Sequence, residues 1–253
     1  MSAVELSAGP PRVSTTVSVV IPALDDADML GRCLVSLAAQ RVPPHEVVVV
    51  DNGSVDATAE VARRHGARVV AEPRRGIGSA SAAGYSAATG DVIARCDADS
   101  VLPPDWVERI GSAFTADPTL GALTGPGVFY GGPRALTRLA DLFYMQAYFT
   151  VMQATLTHPA LFGSNLALRR SVWLVVRDAV HSDRLDVHDD IDLSYHVGDV
   201  ARIRFDPALR VGVSARPFSS ASGMRLRVRR GTRSVLLHWP EDAPWRRHRR
   251  PAA

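Results

Sequence analysis

Two aspartates, Asp97 and Asp99, follow a short apolar run, and Asp25 and Asp51 follow two other apolar runs in the same half of the chain. Carboxylate oxygens are hard ligands that suit Mg²⁺ or Mn²⁺ and suit zinc or copper poorly. An Asp-x-Asp pair alone is a weak signal, because turns and helix caps also use aspartate. If the runs are parallel strands, however, their carboxyl ends meet at the edge where such sheets bind ligands. The pattern therefore predicts a site for a divalent cation that bridges a diphosphate.

The elements that must hold these carboxylates alternate between strand and helix patterns. Short runs rich in Val and Ile predict buried strands, and residues with three-and-four apolar spacing predict helices between them. The predicted strands cover residues 17–21, 47–50, 69–71 and 92–96. The predicted helices begin at a cap provided by Asp25 or Asp26, at a cap provided by Ser54, and at Gly76. Crossovers of a dozen or more residues require a mainly parallel sheet with helices on both faces.

Beyond Asp99 the periodicity is weaker. Pro103 and Pro104 precede a predicted helix that contains Trp106. Further helices are predicted over residues 134–157, 171–179 and 190–200, and extended segments over residues 120–124, 161–168, 202–205 and 209–213. This half of the chain is expected to complete the same domain.

Composition excludes several classes of protein. The chain has 253 residues, of which 46% are hydrophobic and 22% charged, so it can bury a large core and is not a disordered chain. Its two cysteines, Cys33 and Cys96, cannot form a disulfide framework, and they favour reduced, buried thiols in a cytoplasmic protein. Residues 1–16 lack the apolar core of a signal peptide and are expected to be a flexible lead-in. No apolar run is long enough to predict a transmembrane helix.

The basic residues are unevenly distributed, and all 29 of them are arginines. Nine lie between Arg225 and Arg250, where Glu241 and Asp242 are the acidic residues, so the remainder is slightly acidic. That balance argues against a nucleic-acid partner. Each basic residue near an anionic lipid surface contributes roughly 1 kcal/mol, so peripheral contact of the tail with the inner face of a membrane is one interpretation. A solvated tail is the other.

An uncharged stretch, residues 142–168, precedes that tail in the sequence. Its larger side chains are Phe143, Tyr144, Tyr148, Phe149, Met152 and Phe162. They could form an acceptor cleft that opens toward a lipid surface, or they could belong to an ordinary core helix.

Short motifs follow one another in a characteristic order. They are 17–23 (VSVVIPA), 49–56 (VVDNGSVD), 76–84 (GIGSASAAG), 90–93 (GDVI), 97–100 (DADS), 104–106 (PDW), 163–170 (GSNLALRR) and 189–193 (DDIDL). Together they resemble the family 2 glycosyltransferases with the GT-A fold, from residue 17 to about residue 213. The resemblance implies an α/β fold, with a mainly parallel Rossmann-like sheet flanked by helices and a smaller acceptor-side subdomain.

The resemblance also implies how the chain is divided. Residues 17–100 would bind the nucleotide sugar, and residues 101–216 would be the acceptor-binding half of the same domain. Residues 217–253 would form an Arg-rich C-terminal tail.

On the donor side, the resemblance implies that Asp51 accepts a hydrogen bond from the nucleobase and that Asp99 coordinates Mn²⁺ or Mg²⁺. Asp97 would lie beside the ribose and the sugar. The remaining donor-binding residues would be Pro22, Ala23, Leu24, Gly76 and Ala98. As an alternative, Asp51 is only a turn residue.

On the acceptor side, the resemblance implies that Asp190 is the general base. The acceptor would contact Gly163, Ser164, Asn165 and Asp189. Asp192 would support the start of the helix. Asp190 could instead be only a helix cap, and Asn165 could only turn the backbone. A lone histidine such as His188 is more often a solvated neighbour than a metal ligand.

The implied reaction is an inverting, metal-dependent transfer of a hexose from a UDP- or GDP-linked donor to an acceptor hydroxyl. A bound metal stabilises the leaving diphosphate, and a carboxylate takes the proton of the acceptor. The acceptor could be a lipid carrier, a glycan or a small metabolite. Missing membrane spans and a missing Gln-x-x-Arg-Trp signature favour addition of a single sugar.

Two departures from the family pattern leave alternatives open. Asn52 stands where a second Asp is common, and Ser81 and Ala82 stand where relatives often have Arg-Asn. Arg74 or Arg75 could supply the missing charge. A catalytically silent nucleotide-sugar-binding module is therefore one alternative. A nucleotidyltransferase is another, although residues 22–28 lack the Gly-rich, basic triphosphate loop that it needs.

Overall fold

The computed structural model describes residues 15–132, 144–216 and 221–247. The strands are β1 Val17–Ala23, β2 Glu46–Asp51, β3 Arg68–Ala71, β4 Val92–Arg95, β5 Leu120–Thr124, β6 Gly127–Tyr130, β7 Leu166–Arg169, β8 Arg202–Phe205 and β9 Val211–Ser214. The helices are α1 Ala27–Ala38, α2 Thr58–Arg64, α3 Ile77–Ala87, α4 Trp106–Ala116, α5 Gln146–Leu156, α6 Arg170–Val176, α7 Asp189–Val200, α8 Ala221–Leu237 and α9 Pro244–Arg247.

One sheet of seven strands organises these residues, in the order β3-β2-β1-β4-β7-β5-β8. Strands β1 to β4 pair in parallel, as predicted, whereas β7 lies antiparallel between β4 and β5. Strands β6 and β9 form a small parallel sheet beside it. The predicted mixed α/β architecture with a mostly parallel sheet is confirmed. The direction of β7 was not predicted, because a short apolar run does not encode the direction of its pairing.

Successive residues of the central strands point to opposite faces of the sheet, and those on both faces are apolar. Helices therefore cover the sheet on both faces. Val19 and Ile21 of β1 pack on the face covered by α1 and α4, and Val20 packs on the opposite face, which includes α3. A Cβ at Gly84 of α3 would lie 2.3 Å from Val20 and 2.8 Å from Val50. The small residues of α3 therefore allow a close helix-to-sheet approach. Each large apolar side chain buried in this way contributes about 1.5 to 3 kcal/mol.

The loops after β1 and β2 differ from the predicted helix starts. Helix α2 begins at Thr58, and Ser54 does not cap it; instead, Ser54 Oγ accepts the Asp25 N–H at 3.1 Å. Asp26 precedes α1 without a side-chain cap, and Asp25 Oδ1 accepts from the Val55 N–H at 2.7 Å. The two loops lie at one sheet edge and satisfy each other's N–H groups, which competes with capping.

The described part of the segment expected to be an Arg-rich tail, residues 221–247, is largely helical. Residues 221–237 form α8, which contacts α7. Farther along, Arg247 is only 4% exposed; it donates to Asp199 Oδ1 at 2.7 Å and to the Leu156 carbonyl at 3.1 Å. Part of the C-terminal positive charge is therefore used inside the protein, which was not predicted.

Several predicted features lie partly outside the described residues. The lead-in is described only at Thr15 and Thr16, and the predicted helix over residues 134–157 is described only from residue 144, with α5 beginning at Gln146. Phe143 is also outside the described residues. Among the residues that are described, no helix combines the length and apolar character needed to cross a bilayer. Cys33 and Cys96 are buried free thiols, as predicted.

Candidate active site

A cavity of about 320 Å³ opens beyond the carboxyl end of β4. Strand β4, the loop before β7, the start of α7 and one face of α8 surround it. Six residues predicted for the site line it, namely Asp97, Asp99, Gly163, Ser164, Asp189 and Asp190. The structure thus brings the Asp-x-Asp motif and the later acidic motif to one cavity, although about 90 residues separate them in sequence.

Arg95 connects the two acidic motifs. This last residue of β4 is only 1% exposed, and its guanidinium forms ion pairs with Asp97, at 3.2 Å, and with Asp189. Burial by itself lowers the pKa of an arginine, but the carboxylate of Asp189, then Tyr85 and Asp97, raises the pKa of Arg95 well above its usual range. The guanidinium is therefore a permanent positive charge at the base of the cavity.

The loop before β7 contacts both motifs as well. Ser164 Oγ donates to Asp97 Oδ2 at 2.5 Å, and the Gly163 N–H donates to Asp190 Oδ2 at 2.9 Å. A Cβ at Gly163 would lie 3.1 Å from the Arg95 Nη2 atom and 3.2 Å from Asp190 Oδ2. A side chain would therefore fit tightly here, and the ends of the two charged side chains would have to shift by a few tenths of an ångström.

Asp190 is half-buried in the first turn of α7, and its carboxylate lines the cavity. Its Oδ1 accepts the Ile191 N–H at 2.9 Å. Burial, followed by the charge of Asp189, raises the pKa of Asp190 above its usual value of 3.8. A carboxylate with a raised pKa is a stronger base, which suits proton abstraction from a hydroxyl. Asp190 is not the N-cap residue, since α7 follows His188, but its bond to the Ile191 N–H satisfies a first-turn donor of the helix, so a capping role is compatible with a role as base.

Asp99 pairs with a different arginine, Arg216. Burial, followed by the nearby charge of Asp97, raises the pKa of Asp99, while Arg216 opposes the shift. Arg216 donates to Asp99 Oδ2 at 3.1 Å and to Asp26 Oδ1 at 3.0 Å. Two carboxylates close enough to repel each other, with hard oxygen donors only, suit a divalent cation such as Mg²⁺ or Mn²⁺.

The other predicted donor residues lie at the ends of neighbouring strands. Pro22 and Ala23 pair with Val50 and Asp51 at the carboxyl ends of β1 and β2, and Leu24 follows with 38% exposure. They belong to the same sheet edge as the cavity but are not among its lining residues in the part of the chain that the structure describes. Asp51 accepts the Ser54 N–H through its Oδ1 atom.

Asn52, noted in the sequence only as a departure, positions Gly76. Its Oδ1 accepts the Gly76 N–H at 2.8 Å, and its Nδ2 donates to the carbonyls of Glu72 and Arg74, each at 2.8 Å. Gly76 has φ of 133°, and a Cβ there would lie 2.5 Å from Leu185. This buried amide therefore joins β2, the end of β3 and the start of α3.

Asn165 and Ala98 are buried and do not line the cavity within the described residues. Asn165 accepts from Trp106 Nε1 at 2.9 Å and donates to the Leu209 carbonyl at 2.6 Å. Its side chain is used to hold the loop that carries Gly163 and Ser164. This arrangement matches the alternative in which Asn165 turns the backbone.

Sequence reasoning missed the arginines of this site. Arg74 pairs with Glu72 at 3.1 Å, whereas Arg95, Arg227 and Arg230 line the cavity. Two signals could have shown them: an arginine ending an otherwise apolar strand, and arginines three residues apart on one helix face. Ser81 Oγ lies 3.2 Å from Asp189 Oδ2, so the position where relatives often have Arg also contacts the site.

An apolar groove of about 300 Å³ adjoins the cavity. It lies between α5 and α8, and it shares Tyr144, His188 and Arg227 with the cavity lining. Its other lining residues are Ala147, Tyr148, Val151, Met152, Ile191, Met224, Val228 and Gly231. Part of the uncharged stretch thus faces α8, beside the acidic residues.

The chain matches a known protein family. The model of the family described as Glycosyl transferase family 2 matches residues 18–174. An uncharacterised glycosyltransferase of Mycobacterium tuberculosis is 48% identical over 86 residues, which are 34% of this chain and 38% of that protein. The matched segment thus spans well under half the length of this relative.

Two solved structures share the fold. A mannosyltransferase from Pyrobaculum calidifontis, in complex with GDP-Man and Mn²⁺, has a TM-score of 0.58 and 24% identity, covering 81% of this chain and 59% of that one. Glucosyl-3-phosphoglycerate synthase from Mycobacterium tuberculosis, with Mn²⁺, UDP and glucosyl-3-phosphoglycerate, has a TM-score of 0.53 and 22% identity, covering 79% and 71%.

Proposed function

Because the chain belongs to glycosyl transferase family 2, we propose that it transfers a hexose from a nucleotide diphosphate sugar to an acceptor hydroxyl with inversion. The observation that supports this most is the meeting of Asp99 and Asp190 at one cavity. A carboxylate pair suited to a divalent cation and a separate carboxylate suited to a base are the two groups that a single displacement needs.

On the donor side, Asp99 would hold Mn²⁺ or Mg²⁺, with Asp97 beside the ribose and the sugar. The oxygen donor set and the raised pKa of Asp99 fit such an ion, because a cation offsets both the burial and the charge of Asp97 that disfavour the ionised carboxylate. When bound, the ion would supply Lewis-acid stabilisation of the leaving diphosphate. Asp51 would accept a hydrogen bond from the base, with Pro22, Ala23, Leu24, Gly76 and Ala98 completing the donor site.

On the acceptor side, Asp190 would take the proton of the attacking hydroxyl. The Gly163 N–H holds Oδ2 of this carboxylate, and Arg95 holds Asp189 beside it. Both contacts fix the direction of the base before the acceptor arrives, which lowers the entropic part of the barrier. Attack from the face opposite the diphosphate requires no covalent intermediate, so the reaction would invert the anomeric centre.

The adjoining groove supports an acceptor that carries an apolar part. Its walls are formed by side chains such as Tyr148, Met152 and Val228, and Arg227 lies where groove and cavity meet. Such an acceptor would place its hydroxyl at Asp190 and its apolar portion between α5 and α8. A peripheral contact of this side with a membrane would bring a lipid carrier to the groove.

The test is nucleotide release from a panel of UDP- and GDP-sugars, with Mn²⁺, with Mg²⁺ and with a chelator. We expect release from one donor class, dependent on the metal. Asp190→Asn should lower turnover by about 10² to 10⁴ while donor affinity is retained. Asp178→Asn, at a side chain that is 90% exposed, is the matched control and should behave as wild type.

Three outcomes would contradict the proposal. Metal-dependent donor binding without any turnover would favour the silent module. Formation of a sugar nucleotide from a nucleoside triphosphate would favour the nucleotidyltransferase. Wild-type turnover in Asp190→Asn would place the base elsewhere.

A further inference from the structure

Three histidines and one aspartate meet beside α7, and none of them is among the described residues that line the cavity. They are His181, Asp192, His196 and His238, and their ligand atoms all lie within 4.8 Å of one another. Asp192 is at the centre, since its Oδ1 lies 2.8 Å from His181 Nδ1, 2.9 Å from His238 Nε2 and 3.8 Å from His196 Nε2. We propose that these four side chains bind a zinc ion that fastens α8 to α7.

The ligand atoms of the cluster indicate which metal it would bind. Three imidazole nitrogens and one carboxylate oxygen suit Zn²⁺, whereas Mg²⁺ and Mn²⁺ prefer oxygen ligands. The cluster therefore differs in chemistry from the Asp97 and Asp99 pair, although Asp192 follows Asp190 by only two residues. Residues two apart on a helix point in nearly opposite directions, so one turn of α7 serves both sites.

One buried nitrogen that lacks a hydrogen-bond partner distinguishes this cluster from a simple hydrogen-bond network. The Asp192 carboxylate accepts from His181 Nδ1 and from His238 Nε2, and zinc would take the place of these two protons, which pass to the solvent. His196 Nε2 is buried and has no hydrogen-bond partner within the described residues. A buried polar atom without a partner destabilises the fold. An ion at the centre of the cluster would supply that partner.

The spacing of the rings fits a tetrahedral ion. The ring centroids of His181, His196 and His238 are 5.2, 5.7 and 5.8 Å apart in pairs. Three imidazoles on one tetrahedral zinc have centroids about 5 Å apart, since each Zn–N bond is about 2.1 Å long. The ring of Tyr195 stacks on His238 with centroids 3.9 Å apart, which holds that imidazole in place.

The ligands come from elements that flank the active site. Asp192 and His196 are one turn apart on α7, His181 lies in the segment between α6 and α7, and His238 directly follows α8. Four protein ligands fill a tetrahedral site, as in structural zinc sites. Zinc would therefore hold α8 in the position that brings Arg227 and Arg230 into the cavity lining.

The test is the metal content of the full chain, purified without a histidine tag, stripped with a chelator and then supplied with Zn²⁺. We expect one zinc per chain after gel filtration, a higher Tm with Zn²⁺ than without it, and the visible absorption of tetrahedral Co²⁺ when cobalt replaces zinc. His196→Asn and His238→Asn should lose all three. His65→Asn, at an exposed histidine outside the cluster, should retain them.

The Asp99→Ala variant tests whether the zinc site is independent of the active site. It should bind zinc as wild type does. If His196→Asn and His238→Asn fail to fold, His181→Asn replaces them, because the His181 side chain is 40% exposed. The proposal is wrong if wild type retains no zinc and its Tm does not respond, which would leave a hydrogen-bonded cluster only. It is equally wrong if a folded cluster variant binds zinc as wild type does.

Discussion

Arg95 and Asp189 form a buried ion pair that joins the end of β4 to the first turn of α7. The pair connects the strand that carries Asp97 and Asp99 to the helix that carries Asp190. The relative position of the two halves of the site therefore depends on one guanidinium, which also pairs with Asp97. A change at Arg95 should affect both stability and catalysis.

Replacing Arg95 with Met should lower the free energy of unfolding by about 3 to 5 kcal/mol, because two carboxylates lose their buried partner. Arg184→Met is the control, since Arg184 is 42% exposed in its pair with Asp186 and should cost at most about 1 kcal/mol. Urea denaturation of both variants measures the difference. Equal losses would mean that the Arg95 pairs contribute no more than surface pairs do.

Asp99→Ala should abolish the Mn²⁺ dependence of nucleotide binding while the fold is retained. Removal of the carboxylate takes away a hard oxygen ligand, and Arg216 cannot replace it as a ligand. Isothermal titration of UDP and GDP, with and without Mn²⁺, measures this dependence. Asp28→Ala, at an exposed aspartate of α1, should bind as wild type. An unchanged response to Mn²⁺ in Asp99→Ala would refute the metal role.

Gly163→Ala should lower turnover by about 10- to 100-fold without unfolding the protein. The new Cβ would lie 3.1 Å from Arg95 Nη2 and 3.2 Å from Asp190 Oδ2, so these side-chain ends must shift by a few tenths of an ångström, which alters the direction of the base. Gly31→Ala is the control, because its Cβ would make an ordinary contact of 3.7 Å with Val61. Steady-state kinetics and circular dichroism test the pair. Wild-type turnover in Gly163→Ala would show that the base tolerates the shift.

Glu46 should make stability depend on pH in the acidic range. Burial opposes its ionisation, but hydrogen bonds from Thr89, Arg68 and Ser18 prevail and lower the pKa of Glu46 from 4.5 to about 2. The unfolded chain therefore takes up a proton first as the pH falls. The stabilisation by Glu46 is complete above pH 4.5 and is lost as the pH falls toward 2.

Glu46→Gln measures this contribution. The variant should lose about 1 to 2 kcal/mol at neutral pH, and the difference from wild type should shrink as the pH falls below 4.5. Glu60→Gln, at a side chain that is 58% exposed, should show little difference at any pH. Denaturant titrations between pH 7 and pH 3 follow both variants. A difference for Glu46→Gln that does not change with pH would contradict the lowered pKa.

The short runs rich in Val and Ile, and the spacing between them, were enough to predict the parallel half of the sheet. The acidic residues at strand ends were enough to predict the edge of the sheet where the site lies. Local signals carried less information where several loops meet. Ser54 was expected to cap a helix, but its Oγ accepts the Asp25 N–H of the neighbouring loop, because loops that meet at one edge compete for the same side-chain acceptors.

The sequence by itself determined which side chains are available, namely the ordered motifs, the carboxylates after apolar strands and the excess of arginine near the C-terminus. Only the tertiary structure decided that Arg95 pairs with Asp189, that β7 runs antiparallel, that α8 covers the cavity, and that three histidines surround Asp192. The reason is physical: periodicity reports which face of an element is buried, whereas contacts between distant residues depend on how those faces pack together.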